Sequence, residues 1–150
     1  MKKIVAVLIG SFFLVGIMIS IGSASSKEEA KAMVEKAVAF YKANGKEKTF
    51  AEVSNLKGQF IKGDLYVFVY DLTGKCVAHG QNKVMIGKDL AELKDPDGKY
   101  FVKERLELAK TKGKGWQDYK FTHPITKKVE QKVAWIEKVD EYIFGCGAYK

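Results

Sequence analysis

Apolar residues recur along this chain at two spacings. From Lys27 to Ala43 they fall at Ala30, Met33, Val34, Ala37, Val38 and Tyr41, the rhythm of a helix with one buried stripe. Ser26 stands where an N-cap belongs, Glu28 and Glu29 occupy the first turn, and Asn44-Gly45 supplies the stop. Thr49 to Asn55 predicts a short second helix, capped by Thr49 with Glu52 three residues on. The period then drops to two. In Asp64 to Leu72, Tyr66, Phe68 and Tyr70 share one face and Leu65, Val67 and Val69 the other. With both faces apolar, this strand belongs in the middle of a sheet. Thr73-Gly74 turns the chain into a second strand, Lys75 to Gly80. A loop containing Gly87 and the turn Asp95-Pro96-Asp97-Gly98 follows. Tyr100 to Thr111 predicts a third helix with Phe101, Leu106 and Ala109 inside; Trp116–Thr122, Lys128–Val139 and Tyr142–Tyr149 predict three more strands. The expected fold class is α+β: five antiparallel strands, with a long N-terminal helix and shorter helices packed on them.

Before the first helix the pattern is of another kind. Lys2 and Lys3 precede an uncharged, largely apolar run, Ile4 to Gly22, and Gly22-Ser23-Ala24 offers small residues for cleavage. Residues 1–24 therefore predict a signal peptide, and residues 25–150 one domain. Retention of residues 4–22 as an anchor is the alternative, since the run is long enough to span a bilayer. Either outcome places the domain outside the cytoplasm, periplasmic or secreted.

The net charge of +8 changes the picture little. Arg105 is the single arginine among 26 basic residues, and the lysines are dispersed. Nucleic-acid readers favour arginine forks, so nucleic acid is not an expected partner. Cys76 and Cys146 are too few for a disulfide scaffold. If the second and last strands flank the first, the two cysteines lie about 10 Å apart, beyond disulfide reach. Two histidines without a compact acidic cluster predict no metal site, and no cofactor motif is present. A Cys–His nucleophile pair using His79 is disfavoured, because alternation puts Cys76 and His79 on opposite faces of their strand.

The last three strands carry the richest chemistry. An antiparallel sheet with aromatic residues and a lysine, Lys132, opening an apolar run suits a small anion. The competing reading of the same residues is ordinary core. Tyr70, Trp116 and Tyr119 are the expected ligand walls, Phe68 expected core, and His79 a donor that gains charge beside an anion.

Three fragments in this order resemble the single Cache domain, a PAS-like extracytoplasmic sensor family. YVFVYDLTGKCVAHG resembles its first hairpin, NKVMIGKDLAELKDPDGKYFVKE its central loop, and GKGWQDYKF with KVAWIEKVDEYIFGCGAYK its last three strands. The likeness covers about Lys27 to Lys150 and ends on Gly-x-Gly-x-Tyr. It implies a PAS-like five-stranded sheet that binds a small metabolite, often a short carboxylate, without catalysis. It also raises Lys132 and His79 above the other lysines and histidine as ligand contacts. In the family's receptors a transmembrane helix follows the last strand, where this sequence reaches Lys150. The expectation is a free-standing or N-terminally tethered binding domain, read by a receptor or transporter component and able to dimerise through its first helix. The runner-up is an envelope accessory protein that uses the fold without a ligand.

Overall fold

A computed structural model of the chain describes residues 24–150. The proposed signal peptide or anchor lies outside the described residues, apart from Ala24. Helices α1 (Lys27–Asn44) and α2 (Lys46–Val53) come first, then strands β1 (Ile61–Lys62), β2 (Leu65–Asp71) and β3 (Cys76–His79). A single 3-10 turn at Lys83–Met85 leads through the loop to α3 (Phe101–Lys112), and β4 (Lys114–Thr122), β5 (Val129–Val139) and β6 (Tyr142–Tyr149) close the fold.

The helices form for the reasons the sequence offers. Ser26 and Glu29 make a reciprocal capping box, and α1 buries Ala30, Val34, Ala37 and Val38. The second helix differs from expectation. It starts at Lys46, because Gly45 (φ 81°) both ends α1 and opens α2. Thr49 thus lies inside the helix, where its hydroxyl donates to the Gly45 carbonyl at 2.7 Å.

All strand pairs are antiparallel. The order is β4-β5-β6-β2, and β1 and β3 share the outer edge of β2, giving six strands where five were expected. The two-residue β1 is too short to leave a periodic signal. As its two apolar faces demand, β2 is central. Leu65, Val67 and Val69 meet α1, while Tyr66, Phe68 and Tyr70 meet the layer under α3. The sheet therefore separates two cores.

Two local devices position the second core. Gly87 (φ 87°) permits the turn that returns the loop to β3. Asp95 then clamps the loop to the open edge of β4: Oδ1 accepts from the Asp97 and Lys99 amides, and Oδ2 from the Lys120 amide at 3.1 Å. That clamp fixes where α3 begins.

Between Val69 and Tyr70 the pairing with β3 slips by one residue. The extra residue on β3 is Val77, and this bulge sets Cys76 opposite Tyr70 and His79 opposite Phe68. Cys76 and His79 consequently share a face, contrary to simple alternation. Cys146, in β6, lies in the α1-side core, so the sheet separates the two cysteines, and both are free.

Candidate functional site

The face of β2 turned towards α3 carries two buried cations. Lys132, on β5, is 0% exposed and donates from Nζ to the Tyr66 hydroxyl at 2.9 Å. Its ammonium stands 4.0 Å from the Tyr66 ring centroid, 4.8 Å from that of Tyr149 and 5.6 Å from those of Phe68 and Phe121. Arg105, on α3, is 1% exposed. Its guanidinium carbon lies 4.4 Å from the Phe68 ring centroid, 4.9 Å from Tyr70 and 5.3 Å from Tyr119. Phe68 thus lies against both cations.

Neither cation forms a salt bridge among the described residues. Arg105 donates from Nε to Gln117 Oε1 at 3.2 Å, and its buried Nη2 has no hydrogen-bond partner among the described residues. Aromatic faces return part of the lost hydration, but burying an uncompensated charge still costs several kcal/mol. The strain appears at Lys132, whose pKa falls from 10.5 to about 7, through burial first and with Arg105 contributing.

Two glycines make room for this arrangement. A Cβ at Gly147 would lie 2.6 Å from Lys132 Cε, and one at Gly145 2.2 Å from Phe68 Cε2. The Gly-x-Gly-x-Tyr ending is therefore a floor. Gly145 admits the Phe68 ring, Gly147 admits the Lys132 stem, and the Tyr149 hydroxyl bonds that of Tyr66 at 3.2 Å. Tyr149 donates in turn to the Thr122 carbonyl at 2.8 Å. Since that proton is committed, Tyr66 donates to Tyr149 and accepts from Lys132.

A cavity of about 300 Å³ opens beside the cluster. Tyr66 and Phe121, which flank Lys132, also line it, together with His79, His123 and Lys127. Both histidines are held alike. His79 Nδ1 accepts from the amides of Gln81 and Asn82 (3.1 and 2.9 Å), and His123 Nδ1 from those of Ile125 and Thr126 (3.1 and 3.2 Å). Each ring must carry its proton on Nε2. His123 directs that nitrogen at Asp64, 3.5 Å away. Burial, then Lys132 and Arg105, drives the His79 pKa from 6.5 to about 3. In this ligand-free arrangement His79 is accordingly a neutral donor.

Of the residues expected from sequence, the structure brings together Tyr70, His79, Tyr119 and Lys132 around Phe68 and the two cations. Trp116 is not brought into this group. It lies on the opposite face of β4, 37% exposed, paired in register with Trp135 at a ring separation of 5.1 Å. Sequence reasoning missed Arg105, Tyr66 as the partner of Lys132, and His123. The signal for Arg105 was available: it falls four residues from both Phe101 and Ala109, on the inner side of α3.

No group of three or more His, Cys, Asp or Glu able to hold a metal occurs among the described residues. Cys76 faces the same core as His79, but its thiol bonds the Ala78 carbonyl and burial raises its pKa to about 11. With the His79 acceptor nitrogen already occupied, no activated nucleophile results.

The family model for single Cache domain 2 matches residues 20–149. The chain belongs to this family. A methyl-accepting chemotaxis protein from Vibrio parahaemolyticus superposes on this Cache domain with a TM-score of 0.70, at 25% identity over 82% of this chain and 87% of that one. A Cache chemosensory domain whose structure is described as the basis for carboxylic acid recognition gives a TM-score of 0.68, at 25% identity over 82% and 92%. In sequence, the domain is 32% identical over 88 residues to the sensor histidine kinase MctS of Rhizobium johnstonii, covering 57% of this chain and 19% of the kinase. It is 30% identical over 88 residues to the methyl-accepting chemotaxis protein McpP of Pseudomonas putida, covering 57% and 16%. The match thus spans less than a fifth of either relative. The domain is of the ligand-binding sensor kind carried by chemotaxis receptors and histidine kinases.

Proposed function

We propose that this Cache domain binds a small carboxylate outside the cytoplasm and passes its occupied state to a membrane receptor or transporter component, without catalysis. The observation that carries the reading is the pair of buried cations sharing Phe68, one with an orphaned N–H and neither with a carboxylate. A cluster of this kind is costly when empty and is relieved by an anion that enters through the cavity. In this reading Arg105 and Lys132 supply the charge, His79 Nε2–H a neutral hydrogen bond, and the Tyr70 and Tyr119 hydroxyls the remaining polar contacts. The carboxylic-acid-binding neighbour and the matching family support the ligand class.

The test is a thermal-shift and calorimetric screen of the protein with acetate, propionate, lactate and succinate, against amino acids and amines. A carboxylate at about 100 times its Kd is expected to stabilise the fold by about 2.7 kcal/mol. A screen in which no carboxylate shifts the melting temperature ends this reading and favours an accessory protein with a silent pocket.

The pH dependence follows from Lys132. Below pH 7 the amine is charged with or without ligand, so affinity is flat. Above pH 7 the empty site loses that proton and a bound carboxylate must restore it. Affinity is therefore expected to fall by up to about tenfold per pH unit above 7. Calorimetry in buffers of different ionisation enthalpy should show proton uptake on binding at pH 8 and little at pH 6.

A further inference from the structure

The chain of contacts reaching Arg105 from the surface runs Lys99, Glu104, Gln117, Arg105. Lys99 Nζ lies 3.0 Å from Glu104 Oε2; Gln117 Nε2 donates to Glu104 Oε1 at 3.3 Å and to the Phe101 carbonyl at 2.6 Å; Gln117 Oε1 then accepts from Arg105 Nε. Gln117 is 2% exposed, so its bonds to Arg105 and Phe101 are made away from water. Two acceptors fix the orientation of its amide. Turned over, its oxygen would face the Phe101 carbonyl. The carboxylate nearest in sequence to Arg105 is thus separated from it by one neutral side chain. We infer that Gln117 is a positioning residue for the anion site: it holds Arg105 by Nε, leaves the Nη edge for ligand, and keeps Glu104 from neutralising the guanidinium.

The chemistry explains why an amide serves here. A carboxylate at this position would compensate Arg105 internally and face the Phe101 carbonyl with a second acceptor. An apolar residue would release both neighbours, and Glu104 could then swing towards Arg105. Only a side chain with one acceptor and two donors satisfies Arg105, Phe101 and Glu104 together while adding no charge.

The affinity arm of the test rests on the carboxylate reading; a second arm does not. Because Arg105 is the only arginine, the protein has a single arginine Nε–H signal in its nitrogen-15 spectrum. Gln117→Met should move that signal, and adding Glu104→Gln should move it again. With acetate and succinate as probes, Gln117→Met is expected to weaken binding by about tenfold or more, near 1.4 kcal/mol. The double variant Gln117→Met with Glu104→Gln should recover part of that loss, which a merely structural glutamine would not allow. An unmoved Nε–H signal in Gln117→Met, or a double variant that binds no better than the single one, overturns the inference. Failure of the wild-type protein to bind either probe defeats the carboxylate reading instead, and the Nε–H signal still decides the role of Gln117.

Discussion

Lys132→Met is expected to yield a protein more stable than the parent and unresponsive to carboxylates. The lysine stem is packed like an apolar side chain, so methionine keeps most of its contacts. What it removes is an ammonium with one hydroxyl partner, three further ring faces and a second cation nearby. Replacing buried charges by apolar groups of similar volume commonly stabilises by about 1–4 kcal/mol. The sign with pH is specific. Lys132 has a folded pKa of about 7, below the 10.5 of the unfolded chain. Between those values the unfolded state holds more protons, so parental stability rises with pH. The advantage of Lys132→Met should be greatest at or below pH 7 and fade towards pH 10.5. Denaturant titrations at pH 6.5, 8 and 9.5 measure this directly, and a variant less stable than the parent at pH 6.5 would show that the site is not strained. Arg105→Met should likewise abolish the carboxylate response, since loss of one buried charged contact costs about 2–5 kcal/mol of affinity.

Alanine at Gly145 or Gly147 acts in the other direction. The new Cβ at Gly147 meets Lys132 Cε at 2.6 Å and the Val133 carbonyl at 2.9 Å; at Gly145 it meets the Phe68 ring at 2.2 and 2.3 Å. Neither neighbour is free to retreat, since Lys132 and Phe68 are buried in the same cluster. Overpacking of this kind costs about 1–3 kcal/mol. Each variant should therefore melt lower than the parent and also lose carboxylate binding, because the displaced atoms belong to the site. Retention of full affinity by Gly147→Ala would mean that the position of Lys132 is not critical.

How much of this was legible can be traced to particular residues. The two faces of β2 were readable because alternation holds over its whole length and both faces are buried. The terminal glycines were recognisable as a motif, but their purpose required knowing which side chains cross above them. Trp116 and Tyr119 are three apart on one strand, so parity alone forbids a common face, and only one of them could join the site. The bulge at Val77 left no local signal, and with it went the true relation of Cys76 to His79. Arg105 was hidden by its type. A charged residue on a helix is usually solvated; its spacing from Phe101 and Ala109 puts it on the inner side of α3, but nothing in α3 alone announces that the strands opposite present three aromatic rings to it.

The placement of Trp116 outside the pocket has an optical consequence. The chain has two tryptophans, and both lie against α1, with Lys27 4.6 Å above Trp116 and Lys31 4.8 Å above Trp135. No ligand on the Arg105 side can touch either indole directly. With excitation selective for tryptophan, a change in emission on adding a carboxylate would report movement of α1 or of strands β4 and β5, not contact with the ligand. The two tryptophans thus report motion on the far side of the sheet, while the site tyrosines report occupancy.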